Sequence, residues 1–277
     1  MTQKTIIIAK PNLTKEEIAL SRRFLTESHY FSAKQWRQVR QVNDKLAGWG
    51  VLFKGNRYTF KEFYRTFING TYAYPLLNAL PQLTDIAKEG LKVQARAARK
   101  IVQWLRANEI ERGQVAEAEY LVIYCLYQWG AFARGYIFEA SILRDLQDSG
   151  VTFTPHDPIL QRYARYDLHI PTLGYGDIKM SLYFLENFTA RSPKADFYIT
   201  RIYSRSTRQH VLAVFLNQWS WRRLQATGYE TVQVSSISNV IQQWPKVVQL
   251  RIDNLDWFVI EYKTWKDFLC QKQGNQK

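Results

Sequence analysis

Residues 162–183 read RYARYDLHIPTLGYGDIKMSLY, and this stretch decides the predicted fold. Two short apolar runs, Tyr166 to Ile170 and Asp177 to Leu182, are separated by Pro171 to Gly176. The proline and glycines of the separating segment are typical of a turn between two strands. We therefore predict a β-hairpin, with strands on either side of this turn.

The predicted hairpin places charged side chains together, because side chains alternate between the two faces of a strand. Asp177 and Lys179 share one face of the second strand, with the apolar Ile178 opposite, and Asp167 and His169 share a face of the first. Two carboxylates and one ammonium then meet on one side. This arrangement predicts a site for a hard cation with a lysine beside it. His169 is interpreted as a solvated histidine, with an accessory ligand as the alternative.

An upstream segment could complete this site. Residues Gly135 to Gly150 have helical periodicity, and the glycines stand where a helix start and stop are expected. Glu139 falls on the same face as Ile142, Leu143 and Leu146. A carboxylate turned toward a core is costly unless it binds a cation or lies at the rim.

The order of Glu139 on a helix, Asp167 on a strand and Asp177-Ile178-Lys179 on the next strand resembles the catalytic core of the PD-(D/E)XK nuclease superfamily. The resemblance covers roughly Arg134 to Trp221, with Tyr166 at the position of the proline in the family's name. It implies an α/β (α+β) fold: a mixed central sheet flanked by helices, restriction-endonuclease-like, with a mainly helical N-terminal region.

The resemblance also implies roles for the residues of the motif. Its catalytic set would be Glu139, Asp167, Asp177 and Lys179, and Mg²⁺, or Mn²⁺ as a substitute, would be held by Asp167, Asp177, Glu139 and the carbonyl of Ile178. The implied function is that of a Mg²⁺-dependent DNA endonuclease, sequence-specific and of the restriction or mobile-element type. The alternatives are a non-catalytic nucleic-acid-binding protein and a basic component of a larger assembly.

Composition favours a polyanionic partner. The chain has 277 residues, and 38 Lys and Arg against 24 Asp and Glu give a net charge of +14. Such a balance is typical of nucleic-acid binding, and double-stranded DNA is the expected partner. No apolar run is long enough for a transmembrane helix, and no signal segment is evident, so a cytoplasmic protein is expected. Because an endonuclease of the implied type cuts both strands of a symmetric site, we expect a homo-oligomer, either a dimer or a tetramer.

We divide the chain into a basic, mainly helical region at 1–128, a nuclease core at 129–235, and C-terminal strands with a tail at 236–277. Further helices are predicted from Thr84 to Leu105 and from Val115 to Trp129.

A DNA-binding element is predicted near the N-terminus. A helix from Ser32 to Ala47 carries Arg37 and Arg40, and a small hairpin that contains Lys54 and Arg57 follows it. Helix, turn and hairpin in this order resemble a winged-helix element. The alternative is a helix with a solvated basic face. Downstream, the predicted hairpin around Arg201, Arg205 and Arg208 could follow a phosphate backbone.

A rival motif lies near the C-terminus. Asp256 followed by Glu261-Tyr-Lys263 also gives an acid and then an acid-x-lysine triplet, predicted on a strand. It is ranked second because almost no turn separates Asp256 from the triplet. The plain alternative is the solvent face of a terminal strand.

Overall fold

The computed structural model describes residues 6–9, 13–27, 30–110, 118–156, 166–182, 185, 195–204, 206–224, 230–252 and 254–274. The chain divides into two compact units, Met1–Ile137 and Phe138–Lys277. The sequence prediction placed its boundaries after residues 128 and 235 instead. The C-terminal strands belong to the same unit as the hairpin because they pair within the same sheet.

A small antiparallel sheet forms part of the N-terminal unit. Its strands, in spatial order, are β1 (Ile6–Ala9), β2 (Gly50–Phe53) and β3 (Asn56–Thr59). Lys54 and Gly55 connect β2 to β3, and both have positive φ angles, 49° and 80°. Positive φ at both central residues is the geometry of two-residue turns whose twist suits a hairpin. The predicted hairpin is therefore confirmed.

Helices α1 (Lys15–Glu27) and α2 (Ala33–Leu46) precede this hairpin. A capping box precedes α1: the backbone N–H of Glu17 donates to Thr14 Oγ1 at 3.2 Å, and the N–H of Thr14 donates to Glu17 Oε2 at 2.9 Å. These reciprocal bonds satisfy N–H groups that a helix start leaves without partners. The sequence therefore fixes where α1 begins.

The rest of the N-terminal unit is helical. In chain order its elements are α3 (Phe60–Phe63), a π-helical segment (Tyr64–Asn69), α4 (Gly70–Ala79), a 3₁₀ turn (Leu80–Gln82) and α5 (Ile86–Ala107). Helix α5 starts at an Asp85 cap, where Asp85 Oδ1 accepts from the N–H of Lys88 at 2.9 Å. Its buried residues include Ile101 and Leu105.

Helix α6 runs without interruption from Ala118 to Asp148. The prediction of two helices separated near Gly135 was therefore wrong. A glycine inside a helix costs only about 0.5–1 kcal/mol relative to alanine, which is too little to end a long buried helix. The predicted stop at Gly150 is correct: this residue has a φ of 77°, a conformation that terminates helices.

A mixed sheet forms the centre of the C-terminal unit. In spatial order its strands are β4 (Thr154–Pro155), β5 (Leu168–Ile170), β6 (Gly174–Lys179), β7 (Phe197–Ser204), β8 (Gln209–Asn217), β11 (Leu255–Glu261), β10 (Val247–Ile252) and β9 (Thr231–Val234). The pairs β6–β7 and β9–β10 are parallel, and the other neighbours are antiparallel.

Both faces of this sheet are covered. On one face, Ile178 and Ile199 pack in a core with Ile142 of α6 and with Trp265 of α8 (Tyr262–Gly274). The short helix α7 (Gln218–Leu224) contributes Leu224 to the same core. The other face forms a second core around buried residues that include Tyr198, Phe215, Val248 and Trp257. The predicted mixed sheet with flanking helices is thus confirmed.

Among the described residues, no helix combines the length and the apolar character needed to cross a membrane.

Candidate functional site

The hairpin β5–β6 is tighter than the sequence suggested. Only Pro171, Thr172 and Leu173 connect the two strands, whereas the predicted turn extended to Gly176. Gly174 begins β6 with a φ of 100°, and a Cβ atom there would lie 2.3 Å from Asp196 Oδ2. Glycine is required at this position because it alone adopts such a φ readily and leaves space for the neighbouring carboxylate.

The register of the hairpin brings the two predicted aspartates together. Leu168 pairs with Gly176, so one further step along this antiparallel register places Asp167 opposite Asp177. The N–H of Asp167 donates to the carbonyl of Gly176 at 2.9 Å, and the N–H of Ile178 donates to Asp167 Oδ2 at 2.6 Å. Asp167 is therefore held by the backbone of the neighbouring strand.

Lys179 joins the two carboxylates. Its ammonium donates to Asp177 Oδ1 at 2.5 Å and lies 3.9 Å from Asp167 Oδ2. The Asp177 side chain is 12% exposed and that of Asp167 is 19% exposed, whereas the Lys179 side chain is 41% exposed. The predicted cluster of Asp167, Asp177 and Lys179 is thus present on one side of the hairpin, while Ile178 packs in the core.

Glu139 is electrostatically coupled to this cluster from α6. Burial raises the pKa of Glu139 well above its ordinary value of 4.5, the negative charges of Asp167 and Asp177 raise it further, and Lys179 opposes them. The cause lies in the sequence pattern: Glu139 precedes Ile142 and Leu146 by one and two turns, and both are buried. The helix therefore carries a desolvated carboxyl group toward the hairpin acids.

The charges of the hairpin residues depend on one another. Burial raises the pKa of Asp177 above its ordinary value, and the hydrogen bond and charge of Asp167 add to the shift. Burial alone would lower the pKa of Lys179, but the attraction of Asp177, Asp167 and Glu139 outweighs it, so the net direction is upward. Lys179 is therefore an ammonium, and the carboxyl groups of Glu139 and Asp177 favour protons over an additional negative charge.

These residues suit a hard divalent cation in their chemistry. Carboxylate and carbonyl oxygens are the preferred ligands of Mg²⁺, which usually takes one or two carboxylates and keeps several waters. Asp167, Asp177, Glu139 and the carbonyl of Ile178 offer such a donor set. Within the described part of the chain, no group of three or more His, Cys, Asp and Glu side chains could by itself hold a metal ion.

His169 is occupied by aromatic packing. Its ring centroid lies 4.7 Å from that of Tyr175, and Tyr166 packs on the same tyrosine at 4.2 Å. His169 on β5 pairs with Tyr175 on β6 in the strand register, and Tyr166 precedes β5. The contact explains why His169 is half-buried, although the sequence interpretation expected a solvated side chain.

The residues of the rival motif do not lie close to one another. Asp256 and Glu261 lie near opposite ends of β11, about 17 Å apart at the usual rise of an extended strand. Lys263 is on helix α8 and not on the strand, so its placement on a strand was wrong. Glu261 accepts a hydrogen bond from Thr264 Oγ1 at 3.1 Å. Asp256 lines a separate cavity of about 470 Å³.

The predicted DNA-contacting residues of the N-terminal unit lie on two elements. Arg37 is exposed and Arg40 half-buried on α2, while Lys54 and Arg57 are exposed on the β2–β3 hairpin. The Lys54 ammonium lies 5.1 Å from the ring centroid of Phe53, its neighbour in the chain. The positions agree with the predicted order of helix and hairpin, and DNA contact by them stays a prediction.

The basic residues predicted around the β7–β8 hairpin differ in their surroundings. Arg201 is half-buried, and its guanidinium stacks 4.4 Å from the ring centroid of Phe138. Burial lowers its pKa. Arg208 is exposed in the turn with a φ of 55°. Arg205 lies outside the described residues.

Sequence reasoning missed the group that orients Asp167. It assigned a role to the carbonyl of Ile178, whereas the structure shows the N–H of Ile178 bound to Asp167. The signal that could have revealed this bond is the strand register, because a three-residue turn places Asp167 opposite Asp177.

No protein-family model, curated protein or solved structure matches this chain.

Proposed function

We propose that this protein is a metal-dependent DNA endonuclease whose C-terminal unit is restriction-endonuclease-like. The observation that carries the proposal is the pairing of Asp167 and Asp177 across one hairpin, with Lys179 between them. The negative charges of Asp167 and Asp177 also raise the pKa of Glu139 on α6. Like charges opposite each other destabilise a sheet, so a purely structural hairpin gains nothing from this arrangement. A cation and a phosphate would compensate for it.

When bound, Mg²⁺ would supply charge neutralisation at a phosphate and a water of lowered pKa. Asp167, Asp177, the carbonyl of Ile178 and Glu139 would hold it, and Mn²⁺ could substitute. Asp167 is oriented for this role by the N–H of Ile178. Orientation in advance is valuable because a ligand that is already fixed does not have to be ordered during the reaction.

Lys179 would stabilise negative charge on the phosphate. The neighbouring carboxylates raise its pKa, so it carries its proton and cannot accept another. An ammonium placed beside the reacting phosphate favours the more highly charged transition state over the ground state. Charge stabilisation by Lys179 is therefore better supported than removal of a proton from water.

The proposed biological role is that of a sequence-specific endonuclease of the restriction or mobile-element type, acting as a dimer or tetramer. Specificity requires surface beyond a cleavage core, since phosphate contacts carry no direct sequence information. In this proposal Arg37 and Arg40 on α2 contact bases, and Lys54 and Arg57 contact backbone. Arg201, Arg205 and Arg208 would follow the backbone near the core.

One observation favours the alternative, a nucleic-acid-binding protein without catalysis. Lys179 already forms a short hydrogen-bonded ion pair with Asp177, which could serve to close the hairpin without any metal. In that case replacing Lys179 or Asp177 by an uncharged residue would change the stability of the protein and leave its affinity for DNA unaffected. The two functions differ in whether DNA is cut, and this difference is measurable.

The test is incubation of the purified protein with supercoiled plasmid in the presence of Mg²⁺ or of EDTA. We expect nicked or linear DNA with Mg²⁺ alone, and loss of cutting with retained DNA affinity in Asp167→Ala. Glu261→Ala is the matched control and should cut normally. Intact plasmid under all conditions, with normal DNA binding, would replace the proposal by the non-catalytic alternative.

A further inference from the structure

Helix α5 carries an exposed row of basic side chains on the side opposite its buried residues. Between Lys88 and Lys100 its members are Lys88, Lys92, Arg96, Arg99 and Lys100, and all five have exposed side chains. At about 100° of rotation per residue they fall within an arc of about 120°. The buried residues Ile86, Ile101 and Leu105 point away from this arc. The helix is therefore strongly divided into an apolar side and a cationic side.

Positive charge dominates this side of the helix. Within the described residues, none of the five cations forms an ion pair with an acid at a distance of 4.0 Å or less. By the same rotation Glu89 falls inside this arc, three residues before Lys92, so the arc holds this one helical acid against five cations. Asp85 caps the start of the helix. A solvated helix face usually mixes both signs at a spacing of four residues, so this row differs from an ordinary solvated face.

The length of the row suits a nucleic-acid backbone. Lys88 and Lys100 are separated by about 18 Å along the axis, at about 1.5 Å per residue. One strand of duplex DNA carries a phosphate about every 3.4 Å of axis, or roughly five phosphates over this length. The row has five cations, which is close to this number of phosphates.

The apolar side of α5 argues against a membrane partner. A helix that binds a membrane surface needs a free apolar face to enter the lipid, but Ile86, Ile101 and Leu105 are buried in the N-terminal unit. The indole N–H of Trp129 also donates to the carbonyl of Gln94 on this helix at 3.2 Å. Leu91 is the single large apolar residue of α5 with an exposed side chain.

We infer that the cationic row of α5 binds the phosphate backbone of duplex DNA independently of sequence. The inference rests on the proposed function in taking DNA as the partner, and it adds a backbone-binding surface to the predicted reading helix α2. Contacts of this kind fix the position of a protein on the duplex and steer its association.

The test compares two triple variants in binding to several unrelated duplexes over a range of salt concentrations, in EDTA. Lys92→Gln, Arg96→Gln and Arg99→Gln are combined in the first variant, since glutamine supports a helix nearly as well as lysine. We expect affinity to fall about 10–100-fold for every duplex and the slope of log K against log salt to become shallower by about 2.7, at 0.9 for each lost contact.

The control variant combines Lys15→Gln, Arg251→Gln and Lys263→Gln, which removes the same number of exposed charges from separate places. It should retain the slope of the parent protein. Equal slopes for the two variants would overturn the inference. The inference would also be overturned if the first variant lost binding to phosphatidylserine vesicles but kept its binding to DNA. Because EDTA prevents cutting, failure of this inference leaves the nuclease proposal intact, and a protein that never cuts could still show the predicted slopes.

Discussion

Two segments of this chain share the letters acid-x-lysine, and the structure treats them differently. In Asp177-Ile178-Lys179 the three residues continue one strand, so the acid and the lysine meet and bond. In Glu261-Tyr262-Lys263 the strand ends at the glutamate and a helix begins at the tyrosine. The same spacing therefore gives a charged cluster in one place and separated side chains in the other.

The difference shows that a short motif identifies a site only when its residues lie on the secondary structure that brings them together. A period of two brings residues i and i+2 to one face, whereas on a helix they are about 200° apart. The first segment also has a partner strand, β5, which Asp167 immediately precedes. The second has Asp256 on its own strand, too distant to contribute. Paired substitutions in the two segments separate these effects.

The largest expected effect is on catalysis. Lys179→Ala should reduce the rate of plasmid cleavage about 10²–10³-fold, because it removes a preorganised charge from the proposed reaction site. Lys263→Ala should leave the rate unchanged. The measurement is the initial rate of nicking at saturating protein, where differences in DNA affinity do not contribute. A greater loss in Lys263→Ala than in Lys179→Ala would transfer the site to the C-terminal segment.

A smaller effect is expected from the glycine that precedes Asp177. A Cβ atom at Gly176 would lie 2.2 Å from the ring of Phe197, so Gly176→Ala should lower the free energy of unfolding by about 1–3 kcal/mol through overpacking. Denaturant unfolding followed by fluorescence measures this change.

Gly135→Ala is its control. Nothing lies within 4 Å of a Cβ atom at that helical position, so this variant should be more stable by about 0.5–1 kcal/mol. If Gly176→Ala were as stable as the parent protein, the close packing of β6 against β7 would be in doubt.

The smallest expected effect concerns pH in the metal-free protein. Because burial and neighbouring acids raise the pKa of Glu139 above 4.5, the folded state binds a proton more tightly than the unfolded state. The stability that this group contributes is complete below its ordinary pKa and is lost as pH rises through the raised value.

Glu139→Gln should therefore be more stable than the parent protein at alkaline pH, by about 1–2 kcal/mol, since one pKa unit corresponds to about 1.4 kcal/mol. Glu261→Gln, the same substitution at the end of β11 outside the cluster, is the variant for comparison. The free energy of unfolding, measured in EDTA across a series of pH values, provides the comparison. A gain of equal size in both variants would show that the raised pKa of Glu139 is not its cause.

The sequence was sufficient to predict the hairpin, the shared face of Asp177 and Lys179, and the burial of Glu139, because each follows from a local periodicity. It was insufficient for the continuity of α6, where the modest cost of Gly135 is outweighed by buried neighbours. It also could not show that Tyr262 starts a helix. The aromatic ring of Tyr262 packs against Trp265 at 5.7 Å, and its hydroxyl donates to Asp145 at 2.7 Å, contacts that depend on the folded chain.

The central proposal is that a divalent cation would bind at Asp167, Asp177 and Glu139 and not at Glu261. Calorimetric titration of Mg²⁺ into the parent protein, Asp177→Asn and Glu261→Gln tests it directly, without DNA or turnover. We predict one saturable binding event in the parent protein and in Glu261→Gln, and a loss of at least about tenfold in affinity for Asp177→Asn, equivalent to about 1.4 kcal/mol. Equal affinities in all three proteins, or no saturable binding in the parent, would contradict the account.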